Sequence, residues 1–197
     1  MTRIAFDPSE HWKRKVRTFD ELIRYIKADP VVFIGDNIIQ HFRMYEFLPG
    51  YYFLNRGIDG DTVLGMLHRL KSSVLDLNPS KVFIHAGVND LPTRSDEQIL
   101  SDYKDLLIEI IANKPAANIY VISIMPTSGW PDRLVSRISF INSELEKMAH
   151  ALEIGFIDAF PLFCNSNDEL KAELTTDGLN LNQIGYNLLA KTIKSYL

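Results

Sequence analysis

Four short polar clusters in the 197-residue chain have side chains suited to chemistry and no obvious packing role: Asp36-Asn37, Gly60, Asn89-Asp90, and Asp177 with Asn180. Apart from the glycine they are carboxamides and carboxylates, groups that orient a partner by donating or accepting hydrogen bonds. The first cluster organises the rest. Val31-Val32-Phe33-Ile34 runs into Gly35-Asp36-Asn37, and Ile38, Ile39 and Phe42 follow at helical spacing. That pattern reads as a buried strand, a tight turn and the first turn of a helix. The residue just after such a turn is presented to a pocket. In many hydrolases it is a serine nucleophile on a strand-to-helix elbow. Here it is Asn37, which has no hydroxyl, a delocalised amide lone pair and a poorly nucleophilic carbonyl oxygen.

The elements that must position these clusters follow from apolar spacing. Strands are expected over 31–34, 51–55, 82–86, 119–124 and 155–157. Helices are expected over about 18–28, 37–47, 96–113, 132–152 and 183–196. Another helix, with Val63, Leu64, Leu67 and Leu70 on its apolar side, is expected to be capped by Asp61 or Thr62. Strand and helix alternate five times, which predicts a doubly wound, three-layer α/β/α, flavodoxin-like fold with a five-stranded parallel sheet. Such a sheet places its strand-to-helix turns on one edge, so the four clusters should converge there. The chain, 1–197, reads as a single domain, with 1–29 as an N-terminal helical extension packing on the sheet.

The order and spacing of the clusters resemble those of the SGNH (GDSL-type) hydrolases, in the branch similar to the platelet-activating-factor acetylhydrolase catalytic subunits. The specific segments are Asn55-Arg56-Gly57-Ile58-Asp59-Gly60-Asp61-Thr62, Gly87-Val88-Asn89-Asp90-Leu91 and Asp177-Gly178-Leu179 continuing through Leu181-Asn182 to Gly185-Tyr186. The resemblance implies an ester hydrolase working without metal or cofactor. It places the serine nucleophile at Asn37, the oxyanion donors at Gly60 and Asn89 with the Asn37 backbone amide, the triad acid at Asp177 and the base histidine at Asn180.

The two departures from the family pattern fall on the reactive positions. Asn180 takes up no proton near neutral pH, so the nucleophile and the group that would activate it are lost together. The expectation is a catalytically silent protein whose oxyanion-type pocket holds a small acyl-ester or carbohydrate-like ligand. Asp36, beside the lost nucleophile, and Trp130 are further binding candidates, and Thr127 and Phe163 lie in stretches that should edge the pocket. Asn37 and Asn180 can pair with each other, and Asp177 can accept from Asn180. Alternatives are an active carboxylic-ester hydrolase with a substitute nucleophile, and a structural or regulatory subunit, for instance a homodimer. His41, His68, His85 and Ser128 are the substitute candidates, but His85 reads as a packed core residue, His68 as a helix-surface one, and no turn activates Ser128.

Composition narrows the field further. Hydrophobic residues make up 46% of the chain, which argues against disorder. A net charge of −4 argues against nucleic-acid binding. The basic run His11-Trp12-Lys13-Arg14-Lys15-Val16-Arg17 reads as the solvated start of a helix. Cys164 is the only cysteine, so no internal disulfide forms, and a packed thiol is the expected reading. No apolar run is long enough to span a membrane and the first residues lack the apolar core of a signal peptide, so a cytoplasmic location is expected.

Overall fold

Apolar strands flanked by amphipathic helices bury both faces of a sheet, and the computed structural model, which describes residues 6–197, has that form. Five parallel strands, β1 (Val31–Gly35), β2 (Phe53–Gly57), β3 (Lys81–His85), β4 (Asn118–Ile122) and β5 (Gly155–Ile157), lie in the order β2-β1-β3-β4-β5. The strand order reverses between β1 and β3, and a crevice opens at such a switch point beyond the strands' carboxyl ends.

Alternation along each strand sorts side chains into two cores. Val32, Ile34, Val82, Ile84 and Val121 pack against α4 (Val63–His68), α5 (Asp96–Asn113) and α6 (Val135–Ala151). Val31, Phe33, Phe53, Phe83 and Ile122 pack against α2 (Asn37–His41), α7 (Phe160–Phe163) and α8 (Gln183–Ile193). The result is a three-layer α/β/α fold. Phe33 stacks on Phe83 with ring centroids 4.6 Å apart, and Phe83 on Tyr120 at 5.0 Å, which ties β1, β3 and β4 together on one face. Full burial of Phe33 and of Phe83 contributes roughly 1.5–3 kcal/mol each. Among the described residues no helix is long and apolar enough to cross a membrane.

Several boundaries differ from expectation for local reasons. The first helix, α1 (Glu10–Leu22), starts earlier than residue 18 because Ser9 caps it, its Oγ accepting from the Trp12 amide. The basic run is therefore helical, as expected, but Trp12 is half-buried rather than solvated. The expected helix over 37–47 breaks at Phe42 into α2 and α3 (Met44–Phe47). The Asn55 amide donates to the Ile39 carbonyl at 2.7 Å and to that of Phe42 at 3.3 Å, satisfying the end of α2 from a neighbouring strand. Strand β2 lies two residues later than expected, with Gly57 against α2, where a Cβ would sit 2.1 Å from the Gln40 nitrogen. Of the two candidate caps for α4, Thr62 serves, its Oγ1 accepting from the Gly65 amide, and a short π-helical turn (Lys71–Leu75) follows instead of a continuous helix.

Candidate functional site

The sharp turn after β1 exists because β3 runs close beneath it. A Cβ on Gly35 would lie 2.1 Å from the His85 carbonyl oxygen, so only glycine fits. Asp36 then caps α2, its Oδ1 accepting from the Ile38 amide at 3.0 Å. Asp36 is fully buried and its Oδ2 has no partner among the described residues. Burial pushes its carboxyl well above the usual range. With no exposed surface, its carboxyl acts on the turn rather than on a ligand at the surface.

Asn37 sits at the first position of α2, 3% exposed, with its side chain bridging two other clusters. Its Oδ1 accepts from Asn89 Nδ2 at 3.0 Å. Its Nδ2 donates to Asn180 Oδ1 at 2.5 Å. Asn180 Nδ2 in turn donates to Asp177 Oδ2 at 2.7 Å. Four residues thus form one directed chain, Asn89 to Asn37 to Asn180 to Asp177, each amide donating to the next. Burial opposes charge on Asp177, but hydrogen bonds from the Asn180 side chain and from the Asn180 and Leu179 amides hold its carboxyl below the usual range.

The second proton of Asn89 Nδ2 goes to the Asp61 carbonyl oxygen at 3.0 Å, which joins the turn after β2 to the same network. Both amide protons of Asn89 are therefore engaged inside the protein. Gly60, one residue earlier than Asp61, is exposed with φ of +73°, and open space surrounds the position of a Cβ there.

Trp130 meets the site from the side. Its indole N–H donates to the Asp177 carbonyl oxygen at 2.9 Å, and the Arg133 guanidinium lies over its ring at 4.7 Å. The Ser128 amide donates to the Gly178 carbonyl oxygen at 2.8 Å, and Gly178, with φ of +78°, leaves no room for a Cβ, which would lie 2.0 Å from the Ser128 oxygen. The loop after β4 thereby braces the Asp177 turn. Thr127 is 2% exposed, its Oγ1 donating to the Arg133 carbonyl, and it lines a shallow pocket with Ser128 and Trp130, whereas Phe163 lies wholly in the core.

Two residues under the site carried no functional signal in the sequence reading. Arg69 is 2% exposed; its Nε donates to Asp61 Oδ2 at 2.7 Å, its Nη1 to Ser73 Oγ and its Nη2 to the Gly35 carbonyl at 3.0 Å. Trp12 Nε1 donates to Asp61 Oδ1 at 3.0 Å. The Arg69–Asp61 pair thus pins the turns after β1 and β2 to each other. An arginine between the apolar positions Leu67 and Leu70 was the one available clue. Asp90 Oδ2 accepts from the Val63 amide at 3.1 Å, joining the turn after β3 to α4, and burial pushes its pKa up to about 7.

Of the substitute candidates, Ser128 reaches the site through its backbone amide. His41 and His68 are exposed, and His68 stacks on Phe6 with centroids 4.5 Å apart. His85 is 1% exposed and burial pushes its pKa down to about 4, which keeps it neutral in the core. Cys164 is half-buried, and burial raises its thiol to about 11. Among the described residues there is no group of three or more His, Cys, Asp or Glu that could hold a metal ion.

Comparison with known proteins agrees with the fold and adds the family. The chain is 28% identical over 182 residues to platelet-activating factor acetylhydrolase IB subunit alpha1 of Rattus norvegicus, covering 87% of this chain and 76% of that protein. A structure from Streptococcus pneumonia, described as a platelet activating factor, superposes with a TM-score of 0.89 at 24% identity, over 95% of this chain and 92% of that one. A GDSL-like lipase from Bacteroides thetaiotaomicron superposes with a TM-score of 0.83 at 23% identity, over 92% and 96%. At those identities the structures speak for the fold alone. The family itself is shown by a match spanning residues 33–188, from within β1 into α8, and by it the chain belongs to the GDSL-like lipase/acylhydrolase family.

Proposed function

We propose that this family member does not cleave esters, and that the positions of nucleophile and base have become a closed line of carboxamides ending on a carboxylate. The observation that carries the reading is the directed chain from Asn89 through Asn37 and Asn180 to Asp177. Its direction is the one a hydroxyl, an imidazole and a carboxylate would share in an acyl-transfer triad, but the carboxamides at the nucleophile and base positions neither attack a carbonyl nor take up a proton near neutral pH. Loss of nucleophile or base from such a unit costs roughly a million-fold in turnover. Nothing at hand replaces them: the neighbouring carboxylate of Asp36 points into the protein, and the Ser128 hydroxyl lies on a loop whose backbone braces Gly178.

In this reading the site holds rather than converts. A small acyl-ester or carbohydrate-like ligand would meet the exposed Gly60, the half-buried Asn89 and Asn180, and the edge of Trp130. For Asn89 to donate to such a ligand, Asn37 Oδ1 must yield its place. The cytoplasmic location expected from the sequence fits a chain with one cysteine.

The test is hydrolysis of p-nitrophenyl acetate by the unaltered protein, with and without a serine-directed phosphonate. No turnover above buffer is expected, and phosphonate-sensitive turnover would overturn the reading. The gain-of-function arm restores the pair as Asn37→Ser with Asn180→His, which should generate esterase activity.

A further inference from the structure

We infer that the cradle around Asn37 is selective for a primary carboxamide, and that the Asn37 side chain is its built-in occupant. The inference deepens the reading above and rests on it, in that Asn37 and Asn180 act as hydrogen-bonding groups rather than reacting ones. It replaces the loose acyl or carbohydrate class with one functional group.

The polarity of the cradle is set from outside it. A carbonyl oxygen only accepts, so the Asp61 carbonyl requires an N–H from Asn89, and that orientation turns the second N–H of the same nitrogen towards Asn37. A carboxylate likewise only accepts, so Asp177 requires the Nδ2 of Asn180, which leaves Asn180 Oδ1 facing Asn37. The hydrogen bonds that converge on Asp177 keep it charged and so keep Asn180 from flipping. Between the two lies a space with one donor and one acceptor.

A primary carboxamide satisfies both at once, with its oxygen towards Asn89 and its nitrogen towards Asn180, as Asn37 does. A carboxylate would set a second acceptor against Asn180 Oδ1, leaving two oxygens opposed at hydrogen-bond distance. An ester reaches Asn89 but offers Asn180 nothing. An ammonium does the reverse. With Asn37 tethered and 3% exposed, its own amide holds the cradle at an effective concentration that a dilute free amide does not match. The unaltered chain should therefore bind a free amide only weakly between Asn89 and Asn180, and removing the occupant should reveal the preference.

Asn37→Gly deletes the side chain from Cβ outward, and the missing atoms are those of acetamide. Asn37→Ala keeps Cβ and is the second variant, with formamide as its probe. The 1H–15N spectrum of each variant reports its folding and is then titrated with the amide and with the isosteric carboxylate, acetate or formate. The expected result is saturable shifts at the side-chain amides of Asn89 and Asn180, with the amide bound about tenfold more tightly than the carboxylate. Adding Asn180→Ala to either variant should erase that preference. Equal or tighter binding of the carboxylate, or no saturable binding by folded variants, would sink the inference. Its failure leaves the absence of turnover standing, whereas p-nitrophenyl acetate hydrolysis by the unaltered chain would remove the silent reading whatever the variants bind.

Discussion

Asn37 Nδ2 and Asn180 Oδ1 meet at 2.5 Å although 143 positions separate them, so the turn after the first strand and the segment before the last helix share one hydrogen bond. The rest of the site is arranged to make that bond one-way. Asp177 anchors Asn180 from behind and Asn89 holds the oxygen of Asn37 in front.

Because a serine without a base and a histidine without a nucleophile are both idle, the two restoring changes should show strong coupling. Asn37→Ser alone and Asn180→His alone should stay within a few-fold of buffer with p-nitrophenyl acetate. The double variant should exceed either by about a hundred-fold or more, with a rate that rises through the range where a histidine deprotonates. Initial rates for the four proteins across pH 5–8 measure this.

Asn37→Asp should expose the polarity of the cradle through stability. Once ionised, the introduced carboxylate would set an oxygen against Asn180 Oδ1, at a cost of about 1–3 kcal/mol. Its carboxyl would be raised in the folded state, so the native protein would bind more protons than the unfolded one as pH rises past the ordinary carboxylate range. Stability relative to the unaltered chain should therefore match at low pH and fall as pH increases. Urea unfolding at pH 4 and pH 8 compares the two.

Arg69→Met should destabilise the protein by about 3–5 kcal/mol, because it leaves Asp61 in the interior without its counter-charge and the Gly35 carbonyl with only the Ile58 amide as donor. The pair Arg69→Met with Asp61→Leu should recover much of the loss by replacing both charges with apolar volume. Thermal unfolding of the three proteins reads the difference. The indole of Trp12 would then lack its acceptor, so recovery should stop short of complete.

Asp90 gives the pH dependence its sign. Its pKa is raised by burial to about 7, above the ordinary carboxylate value. The unfolded chain then releases this proton before the folded one does, so stability falls between about pH 4 and pH 7 and levels off above. Asp36, raised by burial as well, acts in the same direction. Asp90→Asn keeps an acceptor for the Val63 amide and removes the charge. It should flatten that slope and raise stability at pH 8 by about 1–3 kcal/mol. A calorimetric series from pH 4 to pH 8 tests it.

Sequence pattern exposed whatever was written locally. The apolar run at β1 and the turn after it stand where the residues place them. The helix Asp96–Asn113 begins and ends as expected because Ser95 and Gln98 form a capping box at its start. The convergence of the polar turns followed from parallel connectivity alone. What stayed hidden was set by partners far along the chain. Asn55 cuts the second helix through its carbonyls, and nothing in the spacing of Ile38, Ile39 and Phe42 reports that. Arg69 looks like an interruption of an apolar stripe until Asp61 and Gly35 are seen around it. The pairing of Asn37 with Asn180 followed from residue type, but the engagement of both Asn89 protons required the positions of Asp61 and Asn37 together.

The family match starts at residue 33, yet the indole of Trp12 and the ring of Phe19 lie ahead of it. Phe19 is buried beneath the guanidinium of Arg56, 4.5 Å from its ring, and close to that of Arg69 at 5.8 Å. A fragment trimmed to the shared stretch would strip the roof from two cations and uncover one oxygen of Asp61. The leading helix is better regarded as a keystone than as an appendage, and any comparison of activity between relatives cut to their common length would be comparing arches with and without it.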